Sequence, residues 1–346
     1  MATGRAYSGR EFNVIVGVQD ISGAAIGSAP TNAQFVTKTM MRVSTLNDIA
    51  WDAGYQRAEI DRAGYRALRA EDVINHYGSG VWTWDFDWVV DNEVGLQNLM
   101  NLIYPSTAST AASTSGIVVT GNPTVEDYKH ANAAGVDSVG VVYISNPEAD
   151  EDRCMHSAVL QNVTFSMDAD TNGGNLNASG QFMSGYKPVI GTQTLETGGT
   201  SLNEASDFAK GLFDCTTHTI GGTDVSVKSF SVTLSNPATR VGYQGAAGEA
   251  DGYVRGARFD VTGSITIKAD TSAMDFLTAG WQTNATKAIV LEAGTAKEIS
   301  FSIPAANMSG HNLDMADEGV FVEIPFTATS GADGGGALIT MKATSA

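Results

Sequence analysis

Asp85 and Asp87 alternate with aromatic residues in the stretch Gly78 to Pro105, GSGVWTWDFDWVVDNEVGLQNLMNLIYP. On an extended chain, alternate side chains share a face about 6.5–7 Å apart. That separation is within reach of the paired carboxylates that cleave glycosidic bonds, and Trp82, Trp84 and Trp88 could then serve as a sugar platform. The plainer reading is favoured: aspartates opposite a tryptophan face are how an antiparallel strand presents itself to water. The remaining reactive side chains form no constellation. His76, His130, His156, His218 and His311 are scattered, none within four residues of another, which is not zinc-ligand spacing. The run from Asp168 to Gly173 begins like a calcium loop, but position 12 of that frame is Ser179 where the motif requires a bidentate glutamate. A turn is expected there. Cys154 and Cys215 have no CxxC partner and read as unpaired structural thiols. No nucleophile elbow, HExxH pair or phosphate-cradling loop occurs, so no enzyme activity, cofactor or metal is expected.

The elements that carry the aspartates are strongly patterned. Trp82, Trp84, Phe86, Trp88 and Val90 share one face of a strand, and the four aromatics are the expected core anchors. Burying such a side chain is worth about 1.5–3 kcal/mol, so a slip of one residue would wet the indoles and bury the acids. Leu96, Leu99, Met100 and Ile103 then take helical spacing until Pro105 ends the helix.

Composition limits the rest. The chain has 346 residues, enough for about two domains. Its 38 acids against 20 bases give a formal charge of −18 and a pI near 4.5, a surface that repels nucleic acid and anionic membranes. No apolar run approaches the roughly 18 residues of a membrane span. Met1 to Arg10 lacks the apolar centre of a secretory signal, so synthesis in a cytoplasm is expected. With 38 glycines beside abundant Ser, Thr, Val and Ile, the fold is expected to be mainly β.

In chain order, strands are expected at Phe12 to Val18 and Phe35 to Leu46. Asn47 to Tyr77 holds Arg57, Arg62, Arg66 and Arg69. It reads as a solvated helix or as an extended arm that docks on the acidic face of a neighbouring copy. Gly54 and Gly64 would each cost a helix about 1 kcal/mol. Tyr104 to Gly116 is a low-complexity loop, and strands follow at Ser138 to Ser145, Ala158 to Asp168 and Leu176 to Met183. The aperiodic Tyr186 to Thr200 marks a boundary between domains 1–190 and 191–346. The second half runs through a strand at Asp224 to Ser235, a loop at Asn236 to Arg255 and a long strand at Phe259 to Lys268. A short helix at Thr271 to Trp281 follows, then strands at Lys287 to Leu291, Lys297 to Ile303 and Gly319 to Ala328. The order strand, arm, long strand, short helix, three strands thus occurs twice, about 180 residues apart. An internal duplication of a β sandwich or barrel with one helix is expected.

RAEDVINHYGSGVWTWDFDWVV followed by LQNLMNLIYPS resembles the major tail tube proteins of tailed bacteriophages, and VKSFSVTLSNPATR through RGARFDVTGSITIK is similar to tube domains of the same group. The likeness covers most of residues 35–343. It implies two tandem tail-tube-like β-sandwich or barrel domains, each with a short flanking α-helix, whose sheets join between neighbours to line a channel. Most members carry one such domain and form hexameric rings, so two per chain imply a trimeric, pseudo-hexameric ring. Also implied are rings stacked into a virion tail, tail terminator, tail-tip and tape-measure proteins as partners, and DNA that transits without specific binding. Candidate lumen-facing acids are Asp85, Asp87 and Asp260, and the candidate inter-ring arm is the segment bearing Arg57, Arg62, Arg66 and Arg69. The rival readings are a decoration, tail-tip or surface-layer protein and, further off, a carbohydrate-active β protein.

Overall fold

The computed structural model describes residues 12–21, 26–52, 56–59, 73–76, 80–104, 117–120, 139–145, 151–191, 195, 211–242, 249–255, 258–270, 285–294, 299–310, 312–314, 320–330 and 336–344. The first strands are β1 (Asn13–Gln19), β2 (Phe35–Met40), β3 (Ala50–Asp52), β4 (Gln56–Glu59), β5 (Val73–His76) and β6 (Val81–Val89), and helix α1 (Glu93–Ile103) follows. Next come β7 (Ile117–Thr120), β8 (Val139–Ser145), β9 (Arg153–Asp168), β10 (Asn177–Ser184) and β11 (Val189–Ile190). The second half holds β12 (Cys215–Ile220), β13 (Thr223–Asp224), β14 (Val227–Ser235), β15 (Thr239–Val241), β16 (Gly252–Val254) and β17 (Asp260–Lys268). It closes with β18 (Lys287–Ala293), β19 (Ile299–Met308), β20 (Asn312–Asp314), β21 (Phe321–Ala328) and β22 (Ala337–Ala343).

Period-2 patterning sets the register of β6. Trp82, Trp84, Phe86 and Trp88 are at most 3% exposed, whereas Asp85 and Asp87 between them are exposed. The chain then turns into α1, whose N-cap Asn92 accepts hydrogen bonds from the amides of Val94 (2.8 Å) and Gly95 (3.2 Å), satisfying two of the donors a helix start leaves open. Gly95 is needed for close approach: a Cβ there would lie 2.8 Å from the Trp88 ring and 2.9 Å from the Thr39 methyl. Leu96, Leu99, Met100 and Ile103 are buried against the sheet.

All the principal strand pairings are antiparallel. In the first half the neighbours run β6, β10, β9, β8, β1, β2. In the second half they run β17, β21, β19, β18, β12, β13. The two orders match strand for strand, with β3 on the outer side of β6 and β14 on the outer side of β17. Between the halves, β9 pairs with β14 from Asn162↔Ser235 to Asp168↔Ser229, and β22 pairs with β7. Eighteen strands therefore form one sheet. Among the described residues, none of the pairings closes it on itself. The largest core cluster also spans both halves, from Trp84, Leu99 and Phe182 to Phe230, Ile265 and Phe301.

Several expectations need correction. The segment expected as an arm or helix from Asn47 begins by pairing with β6 through β3, and Asn47 itself donates to the Asp85 carbonyl (2.8 Å). Within that segment, β4 and β5 form a two-stranded sheet of their own. The strand expected to run to Leu46 ends at Met40. β9 begins at Arg153, five residues before the expected Ala158, and β19 continues to Met308. Asn236 to Arg255, expected as a loop, contains the hairpin β15–β16. The helix expected at 271–281 lies outside the described residues.

The early start of β9 places polar residues in the interior. His156 is 3% exposed and Ser157 is fully buried in a left-handed conformation (φ 49°). The Ser157 amide donates to Gln19 Oε1 (2.7 Å), its carbonyl accepts from the Tyr253 hydroxyl (2.6 Å), and Ser184 Oγ donates to the His156 carbonyl (2.8 Å). Arg240 donates to the Gly80 carbonyl (2.6 Å). This knot ties β9 and β10 to the β15–β16 hairpin. Burial pushes the His156 imidazole down to about 4 from its usual 6.5, against a smaller opposing hydrogen bond to the Lys187 backbone. A depressed folded-state value stabilises the fold at pH above 6.5, and that contribution is lost as pH falls towards 4, because the unfolded chain takes up the proton first. Stability is expected to drop by roughly 3 kcal/mol from this group over that window. Urea titrations from pH 7.5 to 4 should show a steeper loss for the native chain than for His156→Gln. Equal slopes in the two proteins would contradict the assignment.

Candidate functional site

A single polar face is the most extensive chemical feature of the sheet. Strands β3, β6, β10, β9, β14, β17 and β21 lie side by side. On one face they bury Trp84, Phe182, Phe165, Val232, Ile265 and Ile324. From β6 to β21 the other face holds the alternate residues of each strand, mostly Asp, Asn, Gln, Ser or Thr, with Val81, Val89, Met183, Phe321 and Pro325 as apolar members. Cross-strand hydrogen bonds order it: Gln181 Nε2 donates to Asp85 Oδ1 (2.8 Å) and Asn177 Nδ2 to Asp87 Oδ1 (2.6 Å). Further along, the Thr164 and Thr233 hydroxyls meet at 2.8 Å and those of Ser231 and Ser264 at 3.2 Å. Among the described residues of this face, no nucleophile stands beside a base.

The charges on this face are mostly negative. Asp85, Asp87 and Glu323 are exposed, Asp168 and Asp260 are half-buried, and Lys268 is an exposed cation beside them. Asp260 is paired with Arg258, whose Nε lies 2.5 Å from Oδ1. Asp85 and Asp87 thus lie on one face with Asp260, with β10, β9 and β14 between their strands, and each carboxylate is held by an amide or guanidinium neighbour. Such a surface can hydrate and repel anions; it has no acid poised against a base.

The other candidate chemistry is dispersed in the structure. Asp168 to Gly174 forms a turn in which the Asp170 amide donates to Asp168 Oδ1 (2.9 Å), and Lys228 Nζ sits 3.0 Å from Asp170 Oδ2. Asn172 and Gly173 both take positive φ there (50° and 65°). Among the described residues no group of three His, Cys, Asp or Glu could hold a metal ion. Cys154 is buried and Cys215 is half-buried, both as free thiols, with burial pushing Cys154 up to about 12 and Cys215 to about 11. His156 and Ser157 stand 3.5 Å apart but are sealed from solvent. Among the described residues no helix is long and apolar enough to cross a membrane. The indoles of Trp82, Trp84 and Trp88 are buried, so they offer no wet platform for a sugar. The backbone of Arg57 lies in β4, whereas Arg62, Arg66 and Arg69 lie outside the described residues.

The family model described as phage tail tube protein matches residues 3–332, nearly the whole chain. The chain belongs to the phage tail tube protein family. It is a structural component of the virion tail, and membership in this family points to self-assembly into a tube. No curated protein matches the chain.

Seen as a tail tube protein, the chain shows what sequence reasoning did not find. The β9–β14 pairing joins residues that are distant in sequence, and both strands carry Ser and Thr on the open face. The usable signal was the shared alternation of Asn162, Thr164 and Ser166 with Ser231, Thr233 and Ser235.

Proposed function

We propose that this chain consists of two tail-tube-like domains, 1–190 and 191–346, and that three copies form a pseudo-hexameric ring. The rings stack into the tail tube, and the acidic open face lines the channel through which genomic DNA passes at ejection. The observation that carries this reading is the matched strand order of the two halves, within a chain of the tail tube family. Six equivalent units from three chains give a closed symmetric ring, the usual way a head-to-tail contact terminates.

The electrostatics agree with transit and not with capture. A lumen bearing Asp85, Asp87 and Asp260 repels phosphate, so DNA slides without being trapped. At −18 per chain, the ring has no attractive term of the kind that supplies non-specific DNA binding. Tail terminator, tail-tip and tape-measure proteins are the partners this role requires. A decoration or tail-tip role would use the same composition but would give no continuous channel.

The arginine-bearing segment is proposed to connect one ring to the next. Since among the described residues β4 and β5 pair with each other and not with the large sheet, deleting residues 56–70 should leave the large sheet in place. Negative-stain images of the deletion variant are expected to show annuli with a central hole that no longer stack. Long tubes at normal yield would show that ring-to-ring contacts lie elsewhere.

A further inference from the structure

The internal seam between the halves is a template for contacts between copies. Among the described residues, β3 pairs only with β6 and β20 only with β21, so each of these two strands leaves one side unpaired, although the sheet itself continues past β21 through β19. An unpaired strand edge presents a row of backbone donors and acceptors that another strand can satisfy.

Residue correspondences between the halves follow from the pairings. Phe86 and Ile265 both face the core at matching places in β6 and β17. Their partners, Gly180 in β10 and Ile324 in β21, are therefore equivalent. One strand further, Thr164 lies opposite Ser179 and Asn312 lies opposite Glu323, so β20 takes the place of the C-terminal part of β9. At the other end, Thr233 lies opposite Thr262 and Ala50 opposite Thr83, so β3 takes the place of β14. Inside the chain, the replaced strands pair with each other, with Thr164 opposite Thr233.

We propose that β3 of one copy and β20 of the next pair antiparallel, with Ala50 opposite Asn312, in the register of the internal β9–β14 seam. This rests on the ring reading above and specifies its contact. The partner is a second copy of this chain, because among the described residues the strand in the place of β3 is received by the C-terminal part of β9, which β20 repeats. The contact is head-to-tail, since the two edges differ, and it closes only when the last copy meets the first.

Disulfide trapping tests the register. Opposed residues in an antiparallel pair have Cα atoms about 4.5–5.5 Å apart, within the range a disulfide spans. The full chain carrying Ala50→Cys and Asn312→Cys is assembled, oxidised with a mild oxidant and run on a non-reducing denaturing gel. Thr164→Cys with Thr233→Cys serves as the within-chain reference, and Ala50→Cys with Leu313→Cys as the pair one residue out of register. The expected result is chain-to-chain linkage ending in a closed trimer, at a yield at least tenfold above that of the out-of-register pair. If the particles are annular by negative stain but the in-register pair does not link chains, or links no better than the shifted pair, the seam proposal is overturned and the ring reading stands. If the unsubstituted chain forms no annuli, the ring reading falls and the seam with it.

Discussion

Replacing Trp88 by alanine is expected to lower folding stability by about 3–5 kcal/mol, the range for emptying a large aromatic site in a core. Trp88 is fully buried, its ring lies against Gly95 of α1, and its indole Nε1 donates to Asp91 Oδ1 (3.1 Å). The residue therefore fastens the helix to the sheet as well as filling volume. A helix of eleven residues has little stability of its own, so losing this contact should loosen α1 and the strands under it together. The urea midpoint should fall by an amount matching that loss, while Asp85→Ala, on the exposed face of the same strand, should change stability by no more than about 0.5 kcal/mol. Similar losses for both variants would mean that the strand is not held by its aromatic face.

Reversing the charge of the open face should convert a conduit into a trap. Asp85→Lys, Asp87→Lys and Asp260→Lys together replace three carboxylates by three ammonium groups on residues whose side chains are exposed or half-buried, so folding should survive. In the proposed trimer that places nine lysines in each ring. Short duplex DNA incubated with unsubstituted tubes is expected to remain fully digestible by nuclease. In variant tubes it should be retained and protected, with affinity falling by about 10³-fold or more between 50 and 200 mM salt, as expected when several phosphates are neutralised. Nuclease protection separates lumenal binding from binding on the outside of the tube. Intact variant tubes that leave DNA unprotected would show that these acids do not line the channel.

What could be read in the chain beforehand was whatever a local period encodes. The aromatic alternation of β6 and the spacing of Leu96, Leu99, Met100 and Ile103 in α1 placed both elements within a few residues of their observed bounds. The order of the long strands could also be read, because each is bounded by Gly, Asn or Asp turns. Other features depend on pairing at long range. His156 and Ser157 are polar residues in the interior, where Gln19 and Tyr253 satisfy the Ser157 backbone and Ser184 the His156 carbonyl, which lets β9 start at Arg153. The β15–β16 hairpin was hidden in a Gly- and Ala-rich segment whose Tyr253 is held by Ser157 and Gly185 rather than by its own neighbours. The polar face was visible as alternating Asp, Ser and Thr, but its extent was not, because continuity across the halves arises only where β14 meets β9. The carboxylate pair that first suggested chemistry proved to be two places in a much wider polar surface.

The central claim is that two equivalent units per chain build a closed ring around a channel. End-on cryo-electron microscopy averages of the purified, assembled protein test it most directly. The expected image is an annulus with a central hole, six similar lobes alternating in two kinds, and a mass of three chains per ring. Compact particles without a hole, or rings of six whole chains, would contradict it.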